Sequence, residues 1–182
     1  MISAGQLRHR CYLQKNAGTQ DTASGAIVDA WTNVRGVWAE ILRLPANERI
    51  EGQQVTPEST MDIRVRYADD IFAERRLLVP RNTDVLGAAI ANASVTTITV
   101  SDANLIPNAK FGHIRIEDEF LTVTAGQGTT SLTVTRGAFG STAAAHVIST
   151  AIIRMGVAEI TGIENVKNIK EEMILHCKER EA

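Results

Sequence analysis

The stretch Met61-Asp62-Ile63-Arg64-Val65-Arg66-Tyr67 alternates between apolar and charged side chains. In a β-strand successive side chains point to opposite faces, so its apolar residues would share one face and its charged residues the other. This period of two predicts a strand with one buried and one solvated face. A second strand is predicted over residues 37 to 42, where Val37, Ala39 and Ile41 alternate with Trp38, Glu40 and Leu42.

Between these two strands lies a polar segment, residues 44 to 57, which is too long for a tight hairpin. Pro45 is tolerated in the first turn of a helix, and residues 46 to 51 could form about two helical turns. Only Ile50 and Val55 are strongly apolar, so little of this segment can be buried in its own domain. A long polar excursion from a small sheet is usually functional or disordered, and we interpret this one as functional.

The composition limits the classes of function. The 182 residues, 44% of them hydrophobic, can form one large domain or two small ones. A net charge of −2 and an aromatic content of 4% argue against holding nucleic acid by bulk charge or by base stacking. No apolar run is long enough to cross a bilayer, so no membrane association is predicted.

The two cysteines, Cys11 and Cys177, lie near opposite ends of the chain. One pair is not a disulfide framework, and we expect two small buried side chains in a reducing compartment. His9 and His176 lie close to them in the sequence and raise the question of a metal site. However, His176 and Cys177 are adjacent and would point to opposite faces of a strand. Four ligands would not easily converge on one ion, so neither a metal nor a cofactor is predicted.

Strand patterns also occur at both ends of the chain. Residues 7 to 14 alternate and predict the first strand, and residues 15 to 30, rich in Gly, Thr, Ser and Asp, predict a loop or a loose hairpin. Trp31 and Trp38 are interpreted as core or subunit-contact residues, because large amphipathic rings suit both places. The last two strands are predicted over residues 157 to 163 and 170 to 178.

The composition changes over residues 83 to 152, where charged residues become rare and Thr, Ala, Val and Gly increase. Short strands at regular spacing indicate a small all-β domain. They are predicted at residues 96–100, 113–116, 119–123 and 131–135. Because the earlier pattern returns afterwards, we predict a discontinuous domain, 1–82 and 153–182, with 83–152 inserted into one of its surface loops.

The segment Arg136 to His146 contains a serine and a histidine, and the acidic residues Glu117 to Glu119 precede it, which raises the question of a hydrolase. The sequence has no Gly-x-Ser-x-Gly elbow, and no spacing places Ser141 beside His146. We expect instead that the glycines of this segment form turns and that Arg136 and His146 form hydrogen bonds within the small domain. No catalytic residue, and no enzyme, is predicted.

Several short pieces of the sequence together resemble the head–tail joining proteins of long-tailed bacteriophages, also called head-closure, stopper or connector proteins. They are Met1–Arg10, Ala30–Val34, Val37–Ile41, the polar segment 44–57, Ile63–Tyr67 and Met173–Glu179. The resemblance covers residues 1 to about 80 and 153 to 182. Typical members lack the insert, which itself resembles a small β module of other phage structural proteins.

The resemblance implies a mainly β fold: a small β-barrel-like head–tail joining domain with a short helix or loop between strands, plus the inserted all-β module. It also implies a ring of twelve copies, with six as the alternative, at the head–tail junction of the virion. Portal or adaptor proteins would lie above the ring and tail proteins below it. Packaged DNA would occupy the channel without sequence-specific binding, and assembly would take place in the cytoplasm of the bacterial host.

Family members place the loop that matches residues 44 to 57 toward the channel. The resemblance therefore implies a channel-lining or gating loop that contains Glu48, Arg49, Glu51, Gln53, Gln54 and Glu58. Its acids would form a lining that repels DNA and lets it slide. Gln53 and Gln54 would close the gate by hydrogen bonds between subunits, and Trp31 and Trp38 would contact subunits or partners.

One alternative function remains at this point: a phage protein that binds a host surface or a carbohydrate through the inserted module. Against it, the sequence has few aromatic residues to stack on sugar rings, and both tryptophans lie outside the insert.

Overall fold

The structure, a computed structural model, describes residues 5–20, 22, 25–43, 47–51, 54–58, 60–107, 112–165 and 171–180, with the side chains of residues 43–59 outside that description. These residues form fourteen strands and one 3₁₀ turn, Ala138–Gly140. The predicted mainly β fold is confirmed. The strands, in chain order, are β1 (His9–Asn16), β2 (Thr19–Gln20), β3 (Ile27–Val28), β4 (Trp31–Arg43), β5 (Asn47–Glu51), β6 (Gln54–Glu58), β7 (Thr60–Arg66), β8 (Arg76–Val85), β9 (Thr97–Thr99), β10 (Gly112–Ile116), β11 (Glu119–Ala125), β12 (Ser131–Thr135), β13 (Ala151–Asn165) and β14 (Glu172–Arg180).

The chain divides into two compact units. Unit 1 takes its described residues from 1–16, 34–79 and 157–180, and unit 2 takes them from 17–33 and 80–156. The divisions at 79/80 and 156/157 fall inside β8 and β13. The predicted domain boundaries at 82/83 and 152/153 remain predictions.

Unit 1 is built on a sheet that closes on itself. Its hydrogen-bonded order is β14-β7-β4-β1-β8-β13, and β13 also pairs with β14. Met61, Ile63 and Val65 on β7 are at most 2% exposed, so the predicted buried face of this strand is confirmed. They pack with apolar residues of the other strands: Cys11, Leu13, Val37, Ala39, Leu77, Val79, Ala158, Ile160, Met173, Leu175 and Cys177.

Unit 2 contains the strand order β13-β10-β11-β12-β9. The predicted hairpin is confirmed: β10 and β11 pair in register from Gly112 with Val123 to Ile116 with Glu119. The turn between them is Glu117-Asp118, and Glu117 has a positive φ of 52°. One face of the sheet carries a separate apolar core: Leu86, Ile90, Ile98, Val100, Leu105, Ile106, Ile114, Ile116, Leu121, Val123, Leu132, Val134 and Ile152.

One local prediction is wrong. The helical turns predicted over residues 46 to 51 are not formed at the described residues 47–51, because β5 pairs with β6 and cross-strand hydrogen bonding overrides the local helical propensity. Strand β8 runs through Pro80 and continues to Val85. Proline removes only one donor from a strand, and the residues on either side of it can still pair.

The described part of residues 15 to 30 contains a short hairpin, which is one of the two predicted alternatives. β2 pairs with β3, with Thr19 opposite Val28 and Gln20 opposite Ile27. The amide of Ala17 donates to the carbonyl oxygen of Ala30 at 2.7 Å and closes the base of the hairpin. We call residues 17–30 the arm.

Candidate functional site

Within the predicted gating segment, residues 47–51 and 54–58 pair as two antiparallel strands. Asn47 pairs with Glu58 at its base, and Glu51 pairs with Gln54 at its end. The predicted residues Glu48, Arg49 and Glu51 therefore lie on β5, and Gln54 and Glu58 lie on β6. Gln53 and the side chains of the whole segment lie outside the described residues. The pair β5–β6 forms its own two-stranded sheet.

A pocket of about 500 Å³ lies in unit 1 beside Trp38, and we call it the Trp38 pocket. The alternation along β4 explains why this ring faces outward: its neighbours Val37 and Ala39 point into the core, and Trp38 is 55% exposed. The pocket is lined by Leu7, Arg35, Gly36, Val37, Trp38, Val65, Arg66, Tyr67 and Ala68. It combines an apolar floor with two arginines.

The two tryptophans differ in exposure. Trp38 is too exposed to be a core residue, so of its two predicted roles only the contact role is compatible with the structure. Trp31 is half-buried and belongs to the described residues of unit 2. The guanidinium carbon of Arg10 lies 5.9 Å from the ring centroids of both Trp38 and Tyr12, which holds a cation over the exposed ring.

An ion pair supports one wall of the pocket. Arg35 donates from Nε and Nη2 to the two carboxylate oxygens of Asp70, at 2.8 and 2.7 Å. These hydrogen bonds lower the pKa of Asp70 and raise that of Arg35, although burial opposes both shifts. Tyr67 donates its hydroxyl to Asp69 at 2.5 Å. Asp69 and Asp70 therefore hold two pocket-lining side chains in place.

Unit 2 contains a buried charged cluster, which we call the Glu119 cluster. Arg136 donates from Nε and Nη2 to the two carboxylate oxygens of Glu119, both at 2.6 Å. The ring nitrogens of His146 lie 2.8 Å from carboxylate oxygens of Glu117 and Glu119. The side chains of Glu119, His146 and Arg136 are only 1, 2 and 5% exposed. The predicted hydrogen bonds of Arg136 and His146 within the small domain are thus confirmed.

The environment of Glu119 keeps it ionised. Burial by itself raises the pKa of this carboxyl, but hydrogen bonds from Arg136, His146 and the backbone amides of Ala144 and Gly137 outweigh burial and lower the pKa to about 2. A buried carboxylate with this many donors holds the segments around it together. It joins the turn after β10, the end of β12 and the segment that follows β12.

The same contacts answer the hydrolase hypothesis. Ser141 uses its hydroxyl oxygen to accept from the amide of Phe120 at 2.9 Å, and it lies 2.8 Å from the carbonyl oxygen of Ala138. Both ring nitrogens of His146 are engaged by carboxylates, so neither activates Ser141. The predicted glycine turns are present, with Gly137 and Gly140 at φ values of 63° and 80°.

The four residues weighed as metal ligands are placed differently from one another. Cys11 and Cys177 are buried, whereas His9 and His176 are exposed. Burial raises the pKa of the Cys177 thiol to about 12, with smaller contributions from Cys11 and Asp62. His176 contacts Asp62 through Nδ1 at 2.7 Å on the outer surface of unit 1. Across the described ranges, no three His, Cys, Asp or Glu side chains are grouped closely enough for a metal ion.

Sequence reasoning singled out Trp38 but missed the residues that make a pocket of it. Arg35, Arg66 and Tyr67 carried no signal beyond strand alternation, because the pocket depends on the pairing of β4 with β7, with Ala39 opposite Val65. In unit 2 Phe120 is buried, and the partly buried Phe139 packs edge-on against His113 at 4.8 Å. None of the helices in the described ranges is long and apolar enough to cross a bilayer.

Comparison with known proteins finds similarity that includes the N-terminal part of the chain. Residues 2–84 match the family model of the phage head completion proteins. The chain is also similar to the protein named head completion protein gp7 of Enterobacteria phage HK97, with 25% identity over 105 residues, which is 54% of this chain and 93% of that protein. The resemblance to phage head–tail joining proteins is therefore confirmed.

Proposed function

Starting from this similarity to phage head completion proteins, we propose that the chain is a structural, non-enzymatic protein of the virion that forms a ring at the head–tail junction. The ring has twelve copies, or six, and lies below the portal. It closes the DNA channel after packaging and offers a surface to the tail. The match of residues 2–84 to the head completion family is the observation that carries this proposal.

The architecture of unit 1 supports a ring-forming role. A closed sheet has no free edges, so its strands do not invite uncontrolled pairing with other chains. The hairpin β5–β6 stands apart as a two-stranded sheet. An isolated two-stranded hairpin is marginally stable in water, so this one needs surroundings that another molecule supplies. Neighbouring copies around a channel provide such surroundings.

The charge of the hairpin supports a channel position. The predicted gating segment contains three acidic residues, Glu48, Glu51 and Glu58, and one basic residue, Arg49. An acidic lining repels the DNA phosphates, so that DNA slides once the gate opens. With a net charge of −2 the chain as a whole has no basic surplus with which to hold DNA.

The gate can be tested by shortening the hairpin at its base. Asn47 and Glu58 are cross-strand partners, so residues 48–57 can be replaced by an Asn-Gly turn without altering the barrel strands. We expect phage particles with the shortened protein to assemble rings and then to lose their DNA. A matched control keeps the length and changes Glu48, Glu51 and Glu58 to Gln; those heads should stay full and eject DNA more slowly.

Electron microscopy of the particles and a nuclease-protection assay of the packaged DNA provide the readouts. Shortened particles that keep their DNA would contradict the gating role and leave the ring untouched. Particles in which this chain is found away from the head–tail junction would contradict the whole proposal.

A further inference from the structure

The arm leaves a conspicuous apolar surface without a partner among the described residues. Ile27 is 74% exposed and Val28 is 57% exposed, although both lie in a strand. Exposing two adjacent β-branched side chains is unfavourable, because the transfer of each side chain out of water would lower the free energy. The arm also carries two acids, Asp21 and Asp29, and no Lys or Arg. It is an apolar segment with negative charge.

The Trp38 pocket has the opposite character. Its lining contains two arginines and no acidic residue. Arg35 is already bound to Asp70, whereas Arg66 is exposed and makes no ion pair with another described residue. The volume of the Trp38 pocket, about 500 Å³, lies within the range of pockets that bury a ligand. The pocket is therefore an apolar recess with a cation at its rim.

We propose that the arm of one copy docks into the Trp38 pocket of the next copy. Ile27 and Val28 enter the recess against Trp38, and the net negative charge of the arm favours its approach to Arg66. The inference deepens the proposed function, because it names the contact that joins neighbours in the ring. Apolar burial supplies the attraction, and the charges set the orientation.

The pairing of two different surfaces matters for assembly. A contact between an arm and a pocket is heterologous: each copy donates the arm on one side and accepts an arm on the other. Repetition of such a contact closes a ring when the rotation between copies permits. Two arms meeting each other would instead end the assembly at a dimer.

Cross-linking of purified full-length chains tests this contact. One preparation carries Val28→Cys and the other carries Ala68→Cys, a pocket-lining position that keeps Arg66 in place, and they are mixed with a short bismaleimide. The native Cys11 and Cys177 are buried and do not compete. We expect a mixed product between the two variants, which only an intermolecular contact can give.

The matched control replaces Val28→Cys by Val147→Cys. Val147 is also an apolar residue of unit 2 and is 72% exposed, but it lies outside the arm. It should give no more than background product with Ala68→Cys. In a parallel measurement, Val28→Asp and Trp38→Ala should each raise the concentration needed for half-assembly at least about tenfold, whereas Val147→Asp should not change it.

The outcomes separate this inference from the proposed function. Absence of the mixed product overturns the contact, whether or not the chains assemble. A product formed only within a doubly substituted chain, and never between chains, overturns it as well. Neither result affects the place of the protein at the head–tail junction, which imaging of particles tests independently.

Discussion

The two units of this chain stabilise their charged side chains in different ways. Unit 1 has ion pairs at its surface, as with Arg180 and Glu159, whose side chains are 63 and 42% exposed. Unit 2 buries the Glu119 cluster almost completely. Surface pairs contribute little to stability, whereas a buried charge is strongly destabilising once its partner is removed. We therefore expect loss of one charged partner to destabilise unit 2 when the pair is buried, and to change the stability of unit 1 little when the pair is at the surface.

The difference also concerns partners. Within unit 2 the residues of the Glu119 cluster satisfy one another, so this cluster needs no other molecule to complete it. Unit 1 leaves the Trp38 pocket open and holds a hairpin that forms a separate sheet. We expect assembly to stabilise unit 1 more than unit 2, and we expect the sheet of unit 2 to be stable in the isolated chain.

The sharpest way to test this comparison is to remove one arginine from each unit. Arg136→Met leaves Glu119 buried with fewer donors and should destabilise unit 2 by about 3–5 kcal/mol. Arg180→Met, the matched change in unit 1, should cost less than about 1 kcal/mol, because its partner Glu159 stays hydrated. Hydrogen exchange followed by mass spectrometry reports each unit separately. Equal costs in the two units would remove the distinction.

Acid should act on unit 2 through Glu119. Its pKa is about 2 in the folded chain against an ordinary value of 4.5, so the folded chain binds fewer protons than the unfolded one. The resulting stability, on the order of 3 kcal/mol, is complete above about pH 4.5 and disappears as the pH falls toward 2. Denaturant titrations of the wild type at a series of pH values measure this loss. A Glu119→Gln variant should lack this component of the pH dependence.

Two glycine turns of unit 2 should differ in the stability that is lost when alanine replaces the glycine. Gly126 has a φ of 85°, and a Cβ there would come within 2.1 Å of the carbonyl oxygen of Ser131. Gly126→Ala should therefore cost about 2–4 kcal/mol. Gly140 has a similar φ of 80° with open space around it, so Gly140→Ala should cost about 1–2 kcal/mol from backbone strain alone. Thermal unfolding of both variants separates the steric cost from the conformational one.

Much of the fold could be predicted because strands with one buried face carry a period-two pattern. That pattern located β7 and the hairpin of β10 and β11 within a residue or two. It failed for residues 46 to 51, where Pro45 and good helix formers favour a helix locally. The pairing of β5 with β6 decides the structure there, and a register between strands leaves little trace in single residues.

The sites were harder to predict because they depend on contacts across the sequence. Arg136 lies 17 residues from Glu119, and His146 lies 27 residues from it. No spacing rule connects them, although charged residues in an otherwise uncharged stretch were a usable signal. The Trp38 pocket likewise needs Leu7, β4 and the end of β7 together. Alternation placed Trp38 opposite the core but did not supply its neighbours.

The strands β8 and β13 have a consequence for how such a gene could change. They are adjacent in hydrogen-bonding order, and each supplies residues to both units. A recombination event that removed the codons between them could rejoin the two as a simple hairpin, since antiparallel neighbours need only a short link. Residues 17–33 would remain in the shortened gene without the residues they cluster with. Gain or loss of the inserted module therefore requires changes in two parts of the gene, the codons between β8 and β13 and those for residues 17–33. Related genes in which only one of these parts has changed should carry compensating substitutions near residue 30.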